Sequence, residues 1–416
     1  MLYALTGNFD MPGGNVLLPG VPTRPITGED LPAVRRMAPA IGRAERPLGP
    51  ARWNNVSTHD FYRAVLEGTP YPVRTLIGFG ANLLLAQADP TRGREALASL
   101  DFYAHADLFM TPSAAFADVV LPIASCFERE ALKVGFEISE DAQSYVQLRP
   151  AIVPPPDQAR SDTEVIFDLA ERLGLGEQFW NGDIDAAYRE QLEPSGISLE
   201  QLRNEPAGLC RQLTTVFSKH GKKDGSGNPR GFHTSSRKVE FWSETFADHG
   251  YAALPQVLEP AIDAFVPPEL ADRFPLVLTC AKPSLFCQSQ HRSLPSLRKR
   301  DLHPEIELHP ATAIVREIED GDWVEVRTLS GAMRAKARFR ETLDPRVVVG
   351  EHGWWQGCGE LGVQDSDPVD PTGTNFNLTV NAKMRDPISG TPSHRSNFCE
   401  VRAVHKIDSS DSQTGR

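Results

Sequence analysis

Between residues 274 and 355 the apolar positions change period several times within one stretch, and few folds accommodate that order. The run Pro275-Leu276-Val277-Leu278-Thr279 reads as a strand ending at Thr279, and a polar loop follows through Arg292. In "HPATAIVREIEDGDW" Pro310 suits a first helical position, and Ala311, Ile314, Val315 and Ile318 fall on one helical face. Asp320-Gly321-Asp322 turns the chain, after which Val324, Val326 and Thr328 alternate with Trp323, Glu325 and Arg327 as in a half-buried strand. Ser330-Gly331 reverses it again. Met333, Ala335, Ala337 and Phe339 then give the return strand an inner face, and Val347-Val348-Val349 reads as a buried third strand. The pattern predicts a mostly β unit built around a hairpin.

The 416 residues allow two or three domains, and 40% hydrophobic with 24% charged residues is ordinary globular usage. A net charge of −12 argues against a nucleic-acid-binding surface, which would carry basic patches. Lys222-Lys223 and Arg298-Lys299-Arg300 are accordingly expected in solvated loops. No apolar run reaches the roughly 18 residues of a membrane span, and no signal-peptide core follows Met1, so a cytoplasmic location is expected. The six cysteines, at 126, 210, 280, 287, 358 and 399, form no C-x-x-C pair. They are expected to be reduced and mostly buried, without an iron-sulfur or zinc site.

The first fifty residues, rich in Gly and Pro, read as turns and covering loop. Ser57 and Asp60 then resemble a capping box for a helix with Phe61, Ala64 and Val65 inward and Gly68 as its stop. A central strand from Val73 to Ile77 runs into Gly78-Phe79-Gly80-Ala81-Asn82. Asp89-Pro90 caps a helix through Leu100, a strand follows at 102–106, and 113–117 leads into Val119-Val120-Leu121-Pro122. Strands alternating with helices predict a parallel α/β sheet, whose ligands sit beyond the carboxyl ends of the strands. Gly78, Gly80 and Asn82 occupy that position. Glycine allows close backbone approach, and an Asn amide both donates and accepts. Ser161 and Glu164 cap a further helix with Val165, Ile166, Leu169, Ala170 and Leu173 inside and Gly174 at its end. Residues 176–265 read as an irregular connection, with a strand at Val239 and Phe241 and a linker over 259–268.

Taken together, "HPATAIVREIEDGDWVEV…SG" and "VVVGEHGWW" resemble the C-terminal domain of the molybdopterin oxidoreductases, the dimethyl sulfoxide reductase family. "ALTGNFDMPGGN", "SAAFADVVLP", "GFHTSSRKVEFWS" and "NFNLT…DPISGTPSHR" extend the resemblance over nearly all of residues 1–404. The resemblance implies an α/β Rossmann-like parallel sheet portion, 51–175, that binds guanosine, followed by a mainly β double-psi barrel domain, 266–405. Residues 1–50 would be the loop-rich tail of an upstream domain, and 406–416 a disordered tail. The implied cofactor is a molybdenum or tungsten bis-molybdopterin guanine dinucleotide. Carried over residue by residue, its contacts would be Gly78, Gly80, Asn82, Ser113 and Asp118 in the α/β part. In the barrel they would be Thr279, Lys282, Ser289, Gln290, Arg292, Asn377 (or Asn375) and Arg395, with His291, His352 and His394 in the resembling stretches. Arginine and lysine there would meet the phosphates with paired donors.

The sequence also departs from the family. Where many members follow the ADVVLP strand with Glu and a Gly-Thr…Asn segment, Glu128 or Glu130 supplies the Glu and the Asn is unmatched. The upstream segments that supply the metal's protein ligand, and often an iron-sulfur cluster, have no counterpart here. The chain is therefore expected to begin mid-protein, with catalytic residues unassigned, no metal ligand of its own, and as candidate partners an N-terminal part and an iron-sulfur electron-transfer subunit. Three functions follow: part of an oxidoreductase acting on formate, thiosulfate, polysulfide or nitrate; an acetylene hydratase-like lyase, to which "EHGWW" and "LPSLR" lean; or a non-catalytic cofactor-binding chain. Other chemistries fit poorly. Gly357 to Gly362 satisfies G-x-G-x-x-G but precedes a Pro- and Asp-rich loop, not a helix. Asp365, Asp367 and Asp370 miss the EF-hand spacing.

Overall fold

The computed structural model describes residues 2–26, 40–53, 55–136, 138–254, 270 and 272–405. The expected linker at 259–268 and the tail at 406–416 lie outside the described residues. The chain divides into two compact units, one of residues 1–35 with 122–257 and the other of 36–121 with 258–416.

A three-stranded sheet begins with β1 (Thr75–Phe79) and β2 (Phe102–Asp107), which pair in parallel, and continues to β3 (Val119–Pro122). In the order β1-β2-β3 the strand expected at the centre is an edge, and it starts at Thr75, so Gly78 lies within it. The helix Thr58–Glu67 is capped as expected by Ser57, which accepts the Asp60 N–H, and ends at Gly68 in the left-handed region. Its inward residues are Tyr62 and Ala64 instead of Phe61, because Tyr62 enters the packed interior at 1% exposure. Asp89 and Pro90 start the helix Pro90–Ala98. Leu84, Leu85, Leu97 and Tyr103 form the core here, joined by Trp355 from the barrel segment.

The other unit contains an antiparallel sheet not foreseen from the sequence: β4 (Ala131–Val134), β5 (Tyr145–Arg149) and the two-residue β6 (Leu209–Cys210). Val146 and Leu148 pack against Leu192, Leu199 and Leu202. Those leucines sit on helices Ile184–Leu192 and Leu199–Asn204, so the stretch expected to be irregular is partly helical. Ser161 makes the predicted capping box with Glu164, yet Phe167 and Ala170 face inward while Ile166 and Leu173 are exposed. The strand expected at Val239 and Phe241 is absent from 231–243. Thr234 Oγ1 donates to Lys238 O (2.6 Å) and the Arg237 guanidinium to Pro229 and Arg230 O, so side chains hold local turns in place of a ladder.

The C-terminal strands are β7 (Leu276–Ala281), β8 (Glu305–Leu308), β9 (Trp323–Thr328), β10 (Ala332–Phe339), β11 (Val347–Glu351) and β12 (Asn397–Ala403). They close into a six-stranded barrel in the order β10-β8-β11-β7-β12-β9, the architecture of a double-psi barrel. The alternation predicted for the hairpin holds: Val324, Val326, Met333, Ala335 and Ala337 are interior, joined by Leu278, Ile306, Leu308 and Val401. Glu325 is the exception, buried with Arg327 and Arg334 at its carboxylate. The helix at Pro310 ends at Ile314 after five residues, so Ile314 and Val315 are exposed, while Ile318 is buried as expected, together with Thr312 and Ala313.

Candidate cofactor-binding site

Beyond β1 the chain makes a tight turn. Gly80 has φ +56 and donates its N–H to Ala106 O (2.8 Å), joining the ends of β1 and β2. Asn82 sits at the start of the short helix Leu83–Ala86 without capping it by its side chain. Its Oδ1 accepts from Ser113 Oγ (3.0 Å), and that oxygen accepts the Leu84 N–H (3.0 Å). Asn82 Nδ2 is buried and has no partner among the described residues. Buried donors are rarely left unmade, since each costs about 1–3 kcal/mol. The amide is therefore a donor with room for a further acceptor.

Beneath this turn runs a polar line that sequence reading missed, although its i, i+2, i+4 spacing on a strand was visible. Tyr103 Oη lies 2.6 Å from His105 Nδ1, and His105 Nε2 lies 3.1 Å from Asp107 Oδ2. Burial, then the nearby Asp107 charge, pushes the Tyr103 phenol up to about 12. A Cβ at Gly78 would come within 2.8 Å of His105 Nδ1, so that glycine makes room for the imidazole. Asp118 also faces the protein: its carboxylate accepts the Tyr103 N–H (2.8 Å).

The barrel reaches the same helix from the other side. Asn375 Nδ2 donates to Leu84 O (3.0 Å) and Asn377 Nδ2 to Leu85 O (2.6 Å). Asn377 Oδ1 in turn lies 3.1 Å from His394 Nε2. The side chain of His352 meets Gln288 at 2.7 Å. Burial lowers the His352 pKa, and the nearby Arg292, Lys282 and His394 lower it further. Lys282, His352 and His394 thus lie near one another. Arg395 is exposed and makes no ion pair among the described residues, and Gln290 is exposed as well.

Other expected positions do different work. Thr279 lies within β7, which runs on to Ala281, and pairs with Val349. Ser289 offers its carbonyl to Trp355 Nε1 (3.2 Å). Arg292 is fully buried: its guanidinium is 4.7 Å from the ring centres of both Phe286 and Trp354 and donates to Gln288 O and His352 O. Desolvation pushes it down to about 10. Arg298, expected in solvent, is buried on the Trp354 ring (4.8 Å) and donates to Gln356 O (2.6 Å). Aromatic faces and backbone carbonyls accommodate both cations. Cys126, Cys210 and Cys287 are exposed, Cys280 is half-buried, and Cys358 and Cys399 are buried, so the thiols are less buried than expected; all six are free. The Gly357–Gly362 stretch is a turn around the Cys358–Val363 bridge. Asp367 pairs with Arg94 (2.6 Å), and Asp365 accepts the Gly357 N–H. Among the described residues no group of three or more His, Cys, Asp or Glu could hold a metal ion, and no helix is long and apolar enough to cross a membrane.

A parallel sheet joined by the Asn375 and Asn377 side chains to a closed six-stranded barrel is the fold of a dinucleotide-cofactor-binding class of enzyme domain. Residues 276–398 match the molydopterin dinucleotide binding domain and residues 34–172 the molybdopterin oxidoreductase model, and the chain belongs to the molybdopterin oxidoreductase family. It is similar to a dopamine dehydroxylase of Eggerthella lenta, 28% identical over 437 residues covering 85% of this chain and 42% of that protein. An acetylene hydratase of Syntrophotalea acetylenica is 29% identical over 298 residues, covering 71% of this chain and 39% of that protein. The solved acetylene hydratase from Pelobacter acetylenicus superposes with a TM-score of 0.69 at 25% identity, over 83% of this chain and 46% of that one. The chain spans less than half the length of these relatives.

Proposed function

We propose that this chain is the cofactor-binding portion of a molybdenum or tungsten enzyme that adds water to a small unsaturated molecule, in the manner of an acetylene hydratase. The unpartnered Asn82 amide, at the start of a helix that Asn375 and Asn377 tie to the barrel, is the observation that carries cofactor binding. Gly80, Asn82 and Ser113 would hold the guanosine end of a pterin dinucleotide. Lys282, Gln290 and Arg395 would face its phosphates, with His352 and His394 as neutral donors. Asp118, Thr279, Ser289 and Arg292 would position these loops instead of touching the ligand. The metal, when bound, supplies a Lewis acid or redox centre.

The lyase reading is supported by the similarity in both sequence and structure to acetylene hydratases. The dopamine dehydroxylase similarity favours a second reading, an oxidoreductase that takes electrons from an iron-sulfur partner. The test is to co-express the chain with an upstream segment from an acetylene hydratase-type relative in cells that make the cofactor. Near-stoichiometric metal in the wild type, reduced in Asn82→Ala at similar melting temperature, is expected. Absence of molybdenum and tungsten overturns cofactor binding. Acetylene hydration without an electron donor supports the lyase, whereas dye-linked reduction alone supports the oxidoreductase. The isolated chain is expected to turn over neither substrate.

A further inference from the structure

Away from the crevice, four arginines gather at the helix Thr58–Glu67 and the turn 385–392. Arg46 is paired with the buried carboxylate of Asp60, Arg63 with Glu45, and Arg92 with Glu67. Three carboxylates thus meet three guanidiniums. The fourth, Arg385, has Nε and Nη1 buried with no hydrogen-bond partner and no ion pair among the described residues. Its sequence neighbour Asp386 is turned away, accepting the N–H groups of Ile388 (3.0 Å) and Ser389 (2.6 Å).

The turn that carries Arg385 is held tightly. Arg385 bridges to Pro392, and Gly390, at φ +73, lies so close to Arg46 that a Cβ there would sit 3.0 Å from its Nε. A Cβ at Gly49 would sit 2.5 Å from Ile388 O. Arg46 and Arg63 repel the Arg385 charge, which burial has already made less favourable. Arginine does not neutralise by losing its proton, so a buried guanidinium edge without acceptors is stabilised by an anion that supplies them. His59, beside these arginines, is pushed down to about 4 by burial and then by their charges. Its imidazole is neutral and offers one N–H donor.

We propose that Arg385, with Arg46, Arg63 and His59 around it, binds a phosphate-type oxyanion. The proposal does not depend on the chemistry of the metal enzyme. A tetrahedral oxyanion offers several acceptors and a full charge, which matches the unused N–H groups of a guanidinium that has no carboxylate partner among the described residues. The test is thermal unfolding of the full chain against inorganic phosphate, with sodium chloride holding ionic strength constant. Melting temperature is expected to rise with the logarithm of phosphate concentration once the site begins to fill. Arg385→Met should abolish that rise without lowering the phosphate-free melting temperature, because it removes an unpaired buried charge. Arg385→Lys should keep a weaker response, and serves if the methionine variant fails to fold. No phosphate response in the wild type, or an equal response in Arg385→Met, overturns the proposal. Repeating the titration on chain loaded with pterin dinucleotide separates the sources: a lost response assigns the site to the cofactor's phosphate, and a retained one to a free oxyanion.

Discussion

Glu351, at the end of β11, shows how one side chain can set a pH response. Its carboxyl accepts from Trp354 Nε1 (2.9 Å) and Glu305 N (3.3 Å), and burial, then the Asp301 charge, pushes it up to about 7. A raised carboxyl pKa means the fold favours the protonated form. Its stabilising contribution is complete below the ordinary value of 4.5 and is lost as pH rises through about 7. Melting temperature should therefore fall between about pH 5 and pH 8, and the fall should be shallower in Glu351→Gln. Asp301 is raised in the same direction by burial, so some slope should remain. A wild type with flat stability across that interval would contradict the burial argument. At this scale the sequence was least informative. Arg292 and Arg298 look like solvated charges until Phe286 and Trp354, from distant segments, supply the rings they lie on.

Between elements, the decisive contact is the pair of asparagines that tie the barrel turn Phe376–Thr379 to the helix Leu83–Ala86. Replacing either by alanine leaves a buried carbonyl without its donor, which costs about 1–3 kcal/mol. Asn375→Ala and Asn377→Ala should both lower the denaturant midpoint. The double variant should lose less than the sum, because Asn377 N–H also bonds Asn375 Oδ1 (3.0 Å). Strict additivity would mean the two act separately. The elements themselves were legible where one face is buried throughout: period two marks β9 and β10, and capping residues mark the helices at Thr58, Pro90 and Asp162. They were not legible where they are short. β8 has four residues and β6 two, and the helix at Pro310 stops before its apolar spacing can define a face. Of the residues expected to meet the cofactor, Asn82 and Ser113 both lie beyond strand ends and share a hydrogen bond. Asp118 and Gly78 also show that an Asp or Gly near a strand end can serve the strand itself, through Tyr103 N–H or beside His105.

At the scale of the whole molecule, the barrel is a ring whose order in space differs from its order in sequence. β12 lies between β7 and β9, pairing Asn397 with Leu278 and Cys399 with Thr328. Until it arrives, both neighbours present open edges of unpaired backbone groups, a template for pairing with another chain. Ending the polypeptide after Ser396 should give soluble oligomers or aggregate in place of monomer, as size-exclusion chromatography would reveal. A monomeric, folded product would show that β7 and β9 are protected by other means. During synthesis, the same arrangement makes residues 397–403 a latch that closes only after more than a hundred residues of unfinished barrel have left the ribosome. A nascent chain stalled in that interval is the form most in need of a chaperone.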